Sequence, residues 1–115
     1  MKKIYYLKTC DTCKRIIKQI NLDGFELQDI KSQLITVKQL EELFALSESY
    51  EALFSRRSKK YAAMDLKNQT LTEKDYKQLI LDEYTFLKRP VVIVDGNIFI
   101  GNSKKNIDAL LHFLN

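Results

Sequence analysis

The sequence has little of what punctuates or bridges chains: its 115 residues include three glycines, one proline, two cysteines and a single histidine. The glycines stand apart at 24, 96 and 101, so neither a phosphate-cradling loop nor a dinucleotide fingerprint can form, and no bound organic cofactor is implied. One histidine, His112, and one cysteine pair fall short of the four ligands of a closed zinc site, so no metal is expected. No run reaches the roughly 18 apolar residues of a membrane span. The stretch Met1 to Lys8 is too short in apolar residues for a signal peptide. A soluble, cytoplasmic protein without membrane contact is expected. Repeats and low-complexity segments are also missing, and with 45% hydrophobic residues the chain reads as one folded domain, residues 1–115. Charge of one sign is not concentrated: 19 basic residues are scattered among 15 acidic ones, for a net charge of +4. That balance favours solubility and a modest attraction for anions over direct nucleic-acid binding.

What is present reads as an alternation of strand and helix. Residues 2–7 are rich in strand formers, and from Asp11 to Ile20 a helical stripe carries Cys13, Ile16, Ile17 and Ile20. Asn21 to Gly24 marks a stop, after which Phe25 to Ile30 alternates as a half-buried strand does. Thr36 can cap a helix bearing Val37, Leu40, Leu43 and Phe44, and Tyr50 to Phe54 continues as a short one. Thr72 opens a third with Tyr76, Leu79 and Ile80, where Asp75 stands in for the usual Glu or Gln of a capping box. Residues 34–88 therefore read as a helical insertion. The end returns to sheet: Val91 to Val94, an Asp95-Gly96 turn, and Asn97 to Ile100 form a hairpin signature. Ile107, Leu110, Leu111 and Leu114 mark a closing helix, with His112 on its surface. The order β-α-β, insertion, β-β-α predicts an α/β fold; it is what a thioredoxin-like domain with a mixed four-stranded sheet and an inserted helical lobe would produce, although periodicity alone fixes only the element order. The aromatics Tyr5, Tyr6, Phe44, Phe54, Tyr76, Tyr84, Phe86, Phe99 and Phe113 recur at core spacings, as packing residues and not as base-stacking platforms.

Two cysteines that would close a four-residue loop are a poor structural staple, because so short a loop gains little from closure and cytosolic thiols stay reduced. Cys10-Asp11-Thr12-Cys13 falls where the first strand hands over to the first helix. There the helix N-terminus and its free amides favour a thiolate on Cys10, helped by nearby Lys8, Lys14 and Arg15. Cys13, one turn later, is placed to attack an adduct or mixed disulfide on Cys10 and release it as the 10–13 disulfide. Cys10 is thus the expected nucleophile and Cys13 the resolving thiol.

The runs Tyr5 to Lys14, Leu53 to Tyr61 (with Ser55-Arg56-Arg57-Ser58-Lys59) and Leu87 to Val92 occur in the order found in glutaredoxin-coupled arsenate reductases and Spx-type regulators, and the chain resembles that family over nearly its whole length. By this resemblance Pro90 is expected as the cis-proline facing the redox cysteines, and Arg89 as the arginine that approaches the nucleophile and binds an oxyanion. Either Arg56 or Arg57 matches a further oxyanion-binding arginine, and Thr12 lies between the cysteines within the substrate-binding loop. The resemblance implies an oxidoreductase acting on a small oxyanion or a protein disulfide, with glutathione, glutaredoxin or thioredoxin as external reductant. It equally implies an alternative, a regulator that binds RNA polymerase through its alpha subunit with the 10–13 disulfide as switch. Two departures from the reductases stand out: Cys13 itself, and Gly101-Asn102-Ser103-Lys104-Lys105 where they carry another arginine. Against the regulator, no glycine lies between Gly24 and Gly96, whereas Spx-type proteins carry one in the polymerase-binding surface.

Overall fold

A computed structural model describes all 115 residues, which divide into two compact units, residues 1–33 with 89–115, and residues 34–88. The first unit is the thioredoxin-like one. Its elements are β1 (Lys2–Tyr6), α1 (Asp11–Ile17) and β2 (Glu26–Asp29). After the second unit, which supplies α2 to α5, come β3 (Val91–Val94), β4 (Asn97–Ile100) and α6 (Lys104–Leu114). The sheet runs in the order β2-β1-β3-β4, with β1 parallel to β2 and the other two pairs antiparallel, so the mixed four-stranded sheet is present.

Alternation along the strands sets the core. Ile4 pairs with Val92 in the β1–β3 register, and this face gathers Ile4, Val92 and Val94 with Ile16 and Ile20 from the first helical segment and Ile107 and Leu110 from α6. The opposite face is buried as well: Tyr5, Gln28, Val91 and Ile93 are all almost inaccessible. Lys3 is buried there too, its ammonium 3.1 Å from Glu26 and 5.2 Å from the Tyr5 ring centre. Pairing by a carboxylate and an aromatic face compensates the loss of water around this charge.

The β3–β4 hairpin forms on a two-residue Asp95-Gly96 turn in which both residues have positive φ, 47° and 85°. This is the primed-turn geometry that matches strand twist and that an Asp-Gly step favours. The helix α1 is shorter than its apolar stripe suggests. Beyond Ile17 the chain tightens, Gln19 and Ile20 amides donating three residues back to the Ile16 and Ile17 carbonyls. The tighter winding still turns Ile20 inward, which is why the stripe runs past the helix.

The second unit consists of α2 (Val37–Ser47), α3 (Tyr50–Leu53), α4 (Lys59–Ala63) and α5 (Glu73–Asp82) with short 3₁₀ turns at 66–68 and 84–86. Thr36 and Gln39 complete a capping box at α2. At α5 the Asp75 variant of the box closes in both directions, the Thr72 amide donating to Asp75 Oδ2 (2.8 Å) and the Asp75 amide to Thr72 Oγ1 (3.3 Å). The Glu73 carboxylate also accepts from the first amides of α3, at Tyr50 (2.7 Å) and Glu51 (3.1 Å). The last residues of this unit are sewn to its middle. Ser55 N donates to the Phe86 carbonyl (2.7 Å), Lys88 N to that of Leu53 (2.8 Å), and Phe54 bridges to Leu87. Phe54 stacks on Phe86, and its ring also meets those of Tyr61 and Tyr76. The expected aromatic packing holds here, whereas Phe113 leaves almost half its surface exposed while its ring leans on Phe99.

Candidate functional site: the Cys10–Cys13 pair

The site grows from the end of β1. Beyond Tyr6 the chain turns, the Cys10 amide donating to the Leu7 carbonyl (3.0 Å), and α1 starts when the Lys14 amide reaches the Cys10 carbonyl (3.1 Å). Cys10 is therefore the N-cap residue, in extended backbone conformation, and its thiol is half-buried. Cys13, one turn on, is completely buried. Both cysteines are free thiols.

The two thiols are driven apart electrically. Partial burial pushes the Cys10 thiol up, but it is outweighed by the Cys13 amide and thiol, the Thr12 amide and the Arg89 guanidinium, so Cys10 lies below the ordinary thiol value. The Cys10 sulfur makes no cap hydrogen bond of ordinary geometry. The amides of the first turn therefore act on it as dipoles aimed at a negative charge. Burial pushes Cys13 up to about 11; the Leu7 amide opposes this, while the charge on Cys10 and the hydrogen bond between the thiols reinforce it. One sulfur is poised as a thiolate and its neighbour as the thiol that donates to it.

Arg89 acts electrostatically on both cysteines, favouring the thiolate on each. Its peptide bond to Pro90 is cis, and Pro90, buried at the entrance to β3, accepts a hydrogen bond from the Gly101 amide (2.8 Å). Thr12 contributes through its amide. Lys8, Lys14 and Arg15, expected from the sequence to assist, are exposed, and Lys14 lies 3.9 Å from Asp11.

The mid-chain arginines differ in their engagement. In the second unit, Arg56 Nη2 donates to Glu51 Oε2 (2.8 Å) and to the Tyr76 hydroxyl (3.1 Å), and its guanidinium lies over the Phe54 and Tyr76 rings. The Arg57 side chain is exposed and no hydrogen bond or ion pair holds it; only its amide is used, donating to Ser55 Oγ (3.3 Å). No three His, Cys, Asp or Glu side chains gather as a metal site, and no helix is long and apolar enough to cross a membrane.

One residue bearing on the site has no signal in the sequence beyond being an acid that ends a strand. Asp29, at the end of β2, accepts a hydrogen bond from the Lys8 amide (3.1 Å), inside the turn that leads to Cys10.

Comparison with known proteins places this geometry. Residues 5–110 match the ArsC family. A curated relative, the global transcriptional regulator Spx 1 of Bacillus cereus, is 23% identical over 114 residues, covering 96% of this chain and 87% of its own. Among solved structures a YffB protein superposes with a TM-score of 0.80 at 22% identity, each chain covered in full. The arsenate reductase from Vibrio cholerae superposes with a TM-score of 0.74 at 17% identity, with 98% of this chain and 97% of the other covered.

Proposed function

The chain belongs to the ArsC family, and on that premise we propose that it is a cytoplasmic thiol oxidoreductase in which Cys10 is the nucleophile and Cys13 the resolving thiol. The observation that carries this reading is the placement of two neighbouring thiols, Cys10 half-buried at the cap of α1 and Cys13 completely buried one turn on, which sets Cys10 below the ordinary thiol value and pushes Cys13 up to about 11. With a disulfide substrate, the Cys10 thiolate attacks one sulfur, forming a mixed disulfide and expelling the other sulfur as a thiolate. Cys13 then loses its proton to that leaving thiolate or to solvent and attacks the Cys10 sulfur. This releases the second half of the substrate as a thiol and leaves the 10–13 disulfide. Two electrons have passed to the substrate, and two thiols of glutathione, or the dithiol of glutaredoxin or thioredoxin, restore the pair.

With an oxyanion such as arsenate the same groups serve. Cys10 displaces water to form a sulfur–arsenic bond; a second thiol attacks the Cys10 sulfur, the arsenic leaves with the bonding electron pair as arsenite, and a disulfide remains. Arg89 supplies the cation that holds the oxyanion and favours the thiolate. Of the two mid-chain arginines, Arg57 is the one with a guanidinium available to a ligand, since that of Arg56 is engaged by Glu51 and Tyr76.

A second reading is supported by the kinship with Spx 1, described as a global transcriptional regulator, over 96% of this chain. In that reading the 10–13 disulfide is a switch on a protein that docks to RNA polymerase. NADPH oxidation dependent on arsenate or on an added disulfide substrate, coupled in parallel to glutathione with glutaredoxin and to thioredoxin, separates the two. Turnover that vanishes in Cys10→Ser supports the oxidoreductase and identifies its donor; absence of turnover with both arsenate and disulfide substrates favours the regulator.

A further inference from the structure

Between the last residue of β1, Tyr6, and the cap position of α1 there are only three residues, and they decide where the Cys10 sulfur sits relative to the first helical amides. Apolar packing holds only the first residue of this turn, the buried Leu7, whereas Lys8 and Thr9 are both exposed. Its internal bond is the Cys10 amide to the Leu7 carbonyl. The side chain that reaches into it from another element is Asp29, whose Oδ1 accepts from the Lys8 amide. We propose that Asp29 is a positioning residue for Cys10: from the neighbouring strand its carboxylate fastens the 7–10 turn, and so holds the nucleophile over the start of α1.

Asp29 is itself well anchored. Its carboxylate Oδ2 accepts from Ser32 Oγ (2.9 Å), and its carbonyl accepts from the Gln33 amide (2.9 Å). Its α-carbon is registered against Tyr6, and the Ile30 amide donates to the Tyr6 carbonyl (2.9 Å), so strand pairing extends up to the point where the turn departs. The Lys8 amide, then the Ser32 hydroxyl, overcome slight desolvation and hold the Asp29 carboxyl below the usual carboxylate value, so it is charged at neutral pH. The clamp bears on both thiols through one short segment, because the Leu7 carbonyl holds the Cys10 amide while the Leu7 amide acts on Cys13.

This inference rests on Cys10 being the nucleophile. Its sign separates it from a through-space effect. Removing a negative charge near a thiol lowers the thiol's pKa by simple electrostatics, whereas loosening the turn raises it by moving the sulfur off the helix start. The test is the pH profile of Cys10 alkylation by iodoacetamide in the full-length wild type, Asp29→Ala and Asp29→Asn, with cysteine-resolved mass spectrometry and Lys8 amide exchange by NMR. In Asp29→Ala the Cys10 midpoint is expected to rise by about half to one unit, slowing alkylation below the midpoint about three- to tenfold, with faster Lys8 exchange. Asp29→Asn keeps an oxygen acceptor and is expected to hold the Lys8 amide, with a midpoint at or below the wild type. A midpoint in Asp29→Ala at or below that of the wild type overturns the proposal. If Asp29→Ala does not fold, Ser32→Ala removes one anchor of the carboxylate and takes its place: a smaller upward shift supports the clamp, and no shift or a downward one overturns it. An ordinary midpoint for Cys10 in the wild type instead defeats the nucleophile assignment, independently of Asp29.

Discussion

Consider the alkylation of the two cysteines at neutral pH. Cys13 is pushed up to about 11, while Cys10 lies below 9.0, a separation of at least about two units. The thiolate fraction of Cys10 at pH 7 thus exceeds that of Cys13 by at least about a hundredfold. The more basic thiolate is intrinsically more nucleophilic, by about eightfold for two units at a Brønsted slope near 0.45. This leaves a preference of at least about tenfold from chemistry alone, and the complete burial of Cys13 can only widen it. The assay is a time course of iodoacetamide modification of the reduced protein between pH 5 and 9, quenched and read by peptide mass spectrometry. In Cys10→Ser the loss of the neighbouring thiolate and its hydrogen bond should bring Cys13 down, though burial, the larger cause, persists. Equal rates for Cys10 and Cys13 at pH 7, or a Cys13 profile unmoved by Cys10→Ser, refutes the reasoning.

Other outcomes follow from the same structure. Arg56→Ala should cost about 1 kcal/mol of stability through lost bonds to Glu51 and Tyr76 and lost ring contacts, whereas Arg57→Ala should stay within about 0.5 kcal/mol in urea unfolding; the reverse order contradicts the assignment of Arg57 as the available arginine. Thr72→Ala, which opens the capping box of α5, should lower stability by about 1 kcal/mol in the same assay, and a neutral result would mean the reciprocal bonds contribute nothing. The pH dependence has two limbs with opposite signs. Asp29 and Asp75 lie below the usual 3.8, so their contribution is present above that pH and is lost as the medium acidifies through their folded values. Cys13 is raised, so its contribution is present below the ordinary thiol value and is lost as pH climbs toward about 11. Unfolding free energies across pH should fall at both ends, and Cys13→Ala should flatten the alkaline limb.

Where local chemistry and burial agree, the fold is legible in the sequence. Asp95-Gly96 between apolar runs became the two-residue hairpin, and Thr36 and Thr72 both cap their helices. The helix α4 is harder to read because every residue from Lys59 to Ala63 is exposed or only half-buried, so no apolar stripe marks it. Its start rests on Ser58 Oγ accepting from the Lys60 amide (3.2 Å). Lys3 was equally opaque, since a lysine inside a strand gives no hint that Glu26 and Tyr5 will bury it. At the site, the CxxC pair and its place between strand and helix could be read directly. Arg89 entered only through resemblance, because its action on the thiols depends on the entry to β3 lying beside the start of α1. Asp29 was invisible for a related reason: its bond to Lys8 spans 21 residues, from one strand to the turn after its parallel neighbour.

The most direct test of the account is to trap the first covalent step. Reduced Cys13→Ser protein is mixed with glutathione disulfide, the reaction is quenched in acid, and the intact mass and peptide map are read against the wild type. A single glutathione adduct on Cys10 that persists in Cys13→Ser is expected, whereas the wild type passes on to the internal 10–13 disulfide with glutathione released. No adduct on Cys10, or an adduct equally persistent in the wild type, would contradict the division of labour between the two cysteines.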